Sequence, residues 1–259
     1  MQLSLLQGFG VNQNSGNKAL VIAKHQLNAQ QKQDFAKEQN LPVCVFIDDY
    51  SADSFTVDFY YPHRQSPMCL HGSLAAAKVY FKTFQVTTAQ IKTAAGTQIS
   101  AKQINEEQIR LCVTPETVNK SPPSLHEVSE MLGLSPQFIQ DIAISSVGSI
   151  KLLVRLAKVE QILGCTPNLA QIISWGKEQG INGIYAYYKE KTNITGRNFN
   201  HLDPELEDSA TGIAAGALTC YYQENLTINQ GINLNNHCQI LTEYSKDLIY
   251  LIGNIYSII

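Results

Sequence analysis

Basic residues never gather in this chain: 19 lysines and arginines are scattered over 259 positions and are outnumbered by 22 acidic residues, for a net charge of −3. Without a basic cluster there is nothing to neutralise a phosphate backbone, so nucleic acid is excluded as a partner. No apolar run approaches the roughly 20 residues that cross a bilayer, and a membrane partner is excluded with it. The opening MQLSLLQGFGVNQNSG has no basic start and reaches glycine and asparagine too early for a signal peptide. The cysteines, Cys44, Cys69, Cys112, Cys165, Cys220 and Cys238, form no C-x-x-C pair and have no histidine at zinc-site spacing. The expectation is a cytoplasmic protein with reduced thiols and no metal, in which a cysteine is by default a small buried apolar residue.

What the chain does have is self-similarity. Residues 37–47 read KEQNLPVCVFI and residues 177–187 read KEQGINGIYAY, a displacement of 140 (177 − 37). The same displacement carries Phe59 onto Phe199 and Gly72 onto Gly212, and lays HGSLAAAKVYF (71–81) over TGIAAGALTCY (211–221). Upstream, GNKALVIA at 16 resembles GSIKLLVRLA at 148, displaced by 132 (148 − 16). Several matches at one spacing point to internal duplication. Two domains are predicted, 1–118 and 119–259, joined through the polar, proline-bearing TPETVNKSPP.

Local signals repeat in each half. LVIA, VCVFID, FTVDFYY and IRLCV read as short strands, and Asn28 caps a helix running to about Gln39. In the second half Ser124 and Glu127 form a capping box closed at Gly133, and Thr166-Pro167 opens a helix ending at Gly180. The 72–82 and 212–223 segments are rich in Ala and Gly on nearly every face. Such a slim helix suits the centre of a rolled sheet. The predicted class is therefore α+β, two pseudo-symmetric domains, each a rolled β-sheet around a central α-helix.

A helix N-terminus offers free N–H groups and partial positive charge, which favour an anion. A small carboxylate held between the two helix starts would sit beside Cys69, His71 and Ser73 on one wall and Asp208 and Thr211 on the other. An acid or base on each wall is what moving a proton between carbons requires. Asp208 could instead simply cap the 212–223 helix. Cys69 sits where a helix start favours the thiolate, and Cys44 reads as a strand core residue. His63, His126, His201 and His237 carry no functional signal.

These motifs resemble the phenazine-biosynthesis (PhzF-like) isomerase family, which shares the diaminopimelate epimerase fold. The resemblance spans about residues 5–231. It rests on Gly16-Asn17-Lys18-Ala19-Leu20-Val21, on Glu38-Gln39-Asn40-Leu41-Pro42-Val43-Cys44-Val45, on Tyr60-Tyr61-Pro62 and on Cys69-Leu70-His71-Gly72-Ser73. In the second half it rests on Arg197-Asn198-Phe199, Glu207-Asp208-Ser209-Ala210-Thr211-Gly212 and Gln230-Gly231.

The resemblance implies a cofactor-independent isomerase or epimerase of a small carboxylate metabolite, active between its domains and assembled as a homodimer. It assigns proton chemistry to His71, Asp208 and Cys69, and substrate contacts to Gly72, Ser73, Thr211, Gly212 and Asn17. Two departures stand out. Val43 occupies the position of the family's catalytic glutamate and cannot carry a proton, and Ile213 replaces a serine. A member that binds its carboxylate without turning it over is the alternative.

Overall fold

The computed structural model describes residues 1–199 and 207–258, so His201 lies outside the described residues. The chain divides into two compact units, Met1–Val113 with Tyr250–Ile259, and Thr114–Ile249.

The first unit begins with β1 (Gln2–Gly8), β2 (Asn17–Ala23), α1 (Ala29–Gln39), β3 (Cys44–Tyr50) and β4 (Ser54–Tyr61). It continues through β5 (Arg64–Ser66), α2 (Leu70–Phe84), β6 (Thr88–Thr93), β7 (Gln98–Gln103) and β8 (Gln108–Val113). The connection from β1 to β2 doubles back at Gly16, whose φ of +126° is open to glycine and whose Cβ would lie 2.8 Å from the Gly8 carbonyl oxygen. Asn28 and Gln31 cap α1 reciprocally, as their sequence pattern predicts. Alternation then sorts β3 by face. Cys44 and Phe46 pack with Ala36 of α1, whereas Val45 reaches the other face, where its Cγ2 would lie 3.0 Å from a Cβ on Gly72 of α2. Lys32 of α1, itself buried, ties this outer layer down by donating to Asp48 at 2.8 and 2.9 Å.

The second unit comprises α3 (Leu125–Leu132), β9 (Ile139–Ser146), β10 (Ile150–Leu156), α4 (Val159–Gly164), α5 (Leu169–Gln179), β11 (Ile184–Glu190), β12 (Asn193–Phe199), α6 (Gly212–Tyr222), β13 (Leu226–Gln230) and β14 (Cys238–Ser245). Its strands run in the order β14-β13-β12-β11-β10-β9. The sheet curls far enough for both outer strands, β9 and β14, to pack on α6. Its outer face meets α3, α4 and α5 through Leu152, Val154, Ile162, Ile172 and Ile184, all fully buried. The capping box of Ser124 and Glu127 and the left-handed Gly133 are present as expected. Helix α5 starts later than Thr166-Pro167, because the Asn168 side chain accepts from the Gln171 N–H and sets the N-terminus there.

The duplication is visible in the topology. Ala29–Gln39 recurs as Leu169–Gln179 and Cys44–Tyr50 as Ile184–Glu190, each displaced by 140. In both units a strand crosses through a helix to a parallel neighbour, β2 to β3 and β10 to β11, and a second crossover carries the central helix, β4 to β6 and β12 to β13. The parallel pairs also fix the other displacement: Leu20 faces Cys44 as Leu152 faces Ile184, so positions 132 apart correspond in β2 and β10.

The domain boundary differs from the expected 118/119. Residues 114–124 belong to the second unit, held by Glu116, which bridges Ser146 and accepts from its hydroxyl at 2.6 Å, and by Lys120, which donates to the Gln179 carbonyl at 2.6 Å. The C-terminal strand β15 (Leu248–Ser257) supplies the second difference, since residues from Tyr250 onward belong to the first unit. There Leu6, Gln7 and Gly8 of β1 pair with Ser257, Tyr256 and Ile255. This closes a ring β1-β2-β3-β4-β6-β7-β8-β15. A Cβ on Gly253 would lie 2.3 Å from the Phe9 ring, so β15 fits against it only because that side chain is absent. Helix α2 packs on seven of the ring's strands, β1 to β4 and β6 to β8, and is the central helix of its unit. Its Leu70, Leu74, Tyr80 and Phe81 are buried, each contributing about 1.5–3 kcal/mol by leaving water.

Candidate functional site

In the first unit the residues singled out by sequence gather at the start of α2. Cys69 is the N-cap by backbone position, but its side chain does not cap the helix. Its sulfur instead lies 3.4 Å from His71 Nδ1 and 3.8 Å from Nε2. Both side chains are buried, so a thiol and an imidazole stand within proton-transfer reach at a helix N-terminus. Gly8 at the end of β1 lies against His71, with its Cβ position 3.5 Å from His71 Cβ. Asn17 pairs directly across from Gly8, which places the start of β2 at the same end of the ring.

Two expectations change in character here. The Ser73 hydroxyl donates to the Cys69 carbonyl at 2.9 Å, one turn back, so its hydrogen is spent inside the helix. Gly72 has a packing reason for its missing side chain, since a Cβ would stand 3.0 Å from Val45 Cγ2 and 3.1 Å from the Phe59 ring.

Val43 is fully buried. Its carbonyl accepts from Leu20 N–H at 3.0 Å, continuing the ladder of β2 and β3 by one step. Two residues before Val45, it shares the α2-facing side of the strand. The adjacent Cys44 faces α1, where burial pushes its thiol up to about 12. Such a thiol stays protonated at neutral pH and serves as core.

The second unit builds a more polar counterpart at the start of α6. Thr211 is the N-cap, and its side chain makes no capping bond to the helix. Its hydroxyl donates to Asp208 Oδ2 at 2.5 Å and accepts from Gln230 Nε2 at 3.1 Å. Asp208 is thus not the helix cap: it holds the N-cap residue in place and draws a longer bond, 3.5 Å, from the Ala210 N–H. Gln230 organises the rest. Its Oε1 accepts from the Thr211 N–H and from the Tyr185 hydroxyl, both at 3.2 Å, and its Nε2 donates to the Asp208 carbonyl at 2.5 Å. Arg197, expected from the motif, is taken up by Glu207 through a bidentate pair at 2.8 and 2.7 Å. Gly212 opens the helix buried, and Ile213 beside it is half-buried.

One participant was not foreseen. Lys151 in β10 is 1% exposed and donates to Asn198 Oδ1 at 2.7 Å. Burial pulls its ammonium down from 10.5 to about 7, against the opposing charge of Asp208. Asn198 in turn accepts the Asp208 N–H through its own carbonyl at 3.3 Å. A signal did exist in the sequence. By the 132 displacement Lys151 corresponds to Ala19, so a lysine stands inside a strand, IKLLVRL, where the other half keeps a buried alanine. Among the described residues, no group of three or more His, Cys, Asp and Glu side chains is placed to hold a metal ion.

A strand ring or rolled sheet around a small-residue helix, twice over, is an α+β fold also found in the crystal structure of a probable proline racemase from Agrobacterium radiobacter, which superposes with a TM-score of 0.63 at 12% identity over 99% of this chain and 91% of that one. Comparison with known proteins narrows it. The profile of the PhzC-PhzF family, described as phenazine biosynthesis-like protein, matches residues 6–245, and the chain belongs to that family. A phenazine biosynthesis-like domain-containing protein of Bos taurus is 28% identical over 233 residues, covering 82% of this chain and 79% of its own. A Deinococcus radiodurans protein described as an uncharacterized isomerase is 25% identical over 216 residues, 78% of this chain and 70% of its own. The crystal structure of a PhzF-family phenazine biosynthesis protein from Bacillus anthracis superposes with a TM-score of 0.84 at 18% identity, covering 100% of this chain and 98% of that one.

Proposed function

We propose that this protein is a cofactor-independent isomerase or epimerase of a small carboxylate metabolite, working as a cytoplasmic homodimer. The observation that carries this reading is the doubling of an ionisable helix start: Cys69 and His71 precede or open α2, and Asp208 and Thr211 precede α6. Asp208 and His71 are the pair that gives and takes the proton, with Cys69 hydrogen-bonded to His71 as its partner. The backbone N–H groups around Gly72, Ser73, Thr211 and Gly212 hold the carboxylate, and Asn17 contacts the substrate from β2. The isomerase description of the D. radiodurans relative supports the reaction class.

A second reading is favoured by Val43 alone. Its fully buried, apolar side chain stands where the family pattern has glutamate, and a protein of this kind would bind the carboxylate without turning it over. Proton NMR in deuterium oxide separates the two. The isomerase washes deuterium into a C–H of a substrate acid and loses that ability in His71→Ala. Saturable binding of such an acid with no exchange would establish the second reading instead.

A further inference from the structure

The buried polar cluster beneath α6 contains a charge the fold does not need. Lys151 and Leu153 lie on the face of β10 opposite Leu152 and Val154, which pack on the outer helices; β10 also packs on α6. The corresponding slot of the first unit holds Ala19, also fully buried, so the strand crossover forms without an amine. Nor does the lysine complete a fully satisfied network, because the buried Asn198 Nδ2 has no hydrogen-bond partner among the described residues. A buried cation costs free energy unless an opposing charge or a dense set of acceptors compensates it.

The surroundings say which group it serves. Opposite Lys151, β9 presents Ser145, and β11 begins just past Gly183, whose carbonyl accepts from Leu152, so neither residue directly beside it is ionisable. From β12 comes Asn198, and from the segment before α6 comes Asp208, the charge that acts on the ammonium. Arg197 is occupied by Glu207, and the Tyr185 phenol is pushed up by burial and stays neutral.

We propose that Lys151 is a positioning residue for Asp208, holding it through Asn198 in register with the Thr211 helix start. Asn198 is the mechanical link, since it takes the lysine on its side-chain oxygen and the Asp208 N–H on its main-chain oxygen. The lysine need not touch substrate. The inference deepens the reading of Asp208 as a proton-transfer group and rests on it.

Lysine labelled with 13C at Cε gives a direct test in the intact protein, with Lys151→Met identifying the resonance. The expected result is a Lys151 titration near neutral pH that falls by about 1 unit in Asp208→Asn, the loss of one nearby opposite charge. An unmoved titration in Asp208→Asn overturns the proposal. Solvent deuterium exchange on a candidate acid then separates positioning from mere packing: Lys151→Met lowers exchange at least 10-fold, and Lys151→Arg restores part of it. Equal exchange in wild type and Lys151→Met also overturns it. If wild type exchanges no acid at all, the isomerase reading falls, while the resonance shift still decides the coupling.

Discussion

Replacing Lys151 with methionine is expected to make the protein more stable at neutral pH and less stable at high pH. In the folded chain the ammonium titrates near 7, against 10.5 for an ordinary lysine. At about 1.36 kcal/mol per unit, the charged lysine costs the fold about 4–5 kcal/mol below neutral pH. Methionine fills similar volume without that penalty, but leaves Asn198 Oδ1 without its donor, which costs about 1–3 kcal/mol. The net gain at pH 7 is therefore about 1–4 kcal/mol, in the range seen when buried ions give way to apolar side chains. Between about pH 7 and 10.5 the unfolded chain binds a proton that the folded chain has released. Wild-type stability therefore climbs with pH across that window, and the advantage of the variant shrinks. Near pH 10.5 only the orphaned oxygen remains, and the order reverses. Urea unfolding of both proteins at pH 6, 7, 8.5 and 10 measures the difference. A gap that does not change with pH, or one that widens in favour of methionine as pH rises, would refute the assignment of a buried, depressed ammonium.

Three further outcomes are expected. Val43→Glu places a carboxyl on the α2-facing side of β3; deuterium exchange on phenazine-precursor acids should rise by up to the ~10²–10⁴ that a general base supplies, and no increase would show that position 43 does not face the reacting atoms. Gly72→Ala drives a methyl to 3.0 Å from Val45 Cγ2 and 3.1 Å from the Phe59 ring, costing about 1–3 kcal/mol in urea unfolding, with Phe59→Leu recovering part of the loss in a double-mutant cycle. Arg197→Met strands Glu207 in a pair whose side chains are each 11% exposed; a loss of about 3–5 kcal/mol is expected, and a loss within ~1 kcal/mol would mean the pair behaves as an exposed one.

The repeat made most of the architecture legible, because the elements that bury apolar surface kept their spacing: α1 and α5 match residue for residue at 140, as do β3 and β11. The slim central helices were legible for a steric reason, since strands close around Leu70–Phe84 where Gly72 and the alanines leave room. The allegiance of the C-terminus was not. The displacement of 140 sends Gln108 to Leu248 and assigns β15 wholly to the second half. Its alternation of buried and half-buried residues from Leu248 to Tyr256 reads the same whichever neighbour it pairs with. Pairing of Ser257 with Leu6 joins opposite ends of the sequence, and no local pattern encodes it. The residues at the helix starts could be picked out by their position in the sequence, but their bonds could not. A side chain such as that of Asp208 reads as a cap until the Thr211 hydroxyl is seen to donate to it while Gln230 takes the Asp208 carbonyl.

The two units have diverged in opposite electrostatic directions from one template. The first has an apolar Val43 where the family pattern carries an acid, beside a Cys44 held as a neutral thiol, so its ionisable content retreats to Cys69 and His71. The second has Lys151 where the first has Ala19, together with Asn198, Tyr185, Gln230 and Asp208 in one hydrogen-bonded cluster. A charge placed in the core at a cost of several kcal/mol, in a slot where alanine is sufficient for the fold, is explained by chemistry at the adjoining helix start rather than by stability. On the proposed reading, the second unit carries the more elaborate support for proton transfer. Substitutions around Lys151, Asn198 and Asp208 should disable exchange more severely than substitutions at Cys69, the reverse of what a site built around a glutamate at position 43 would give.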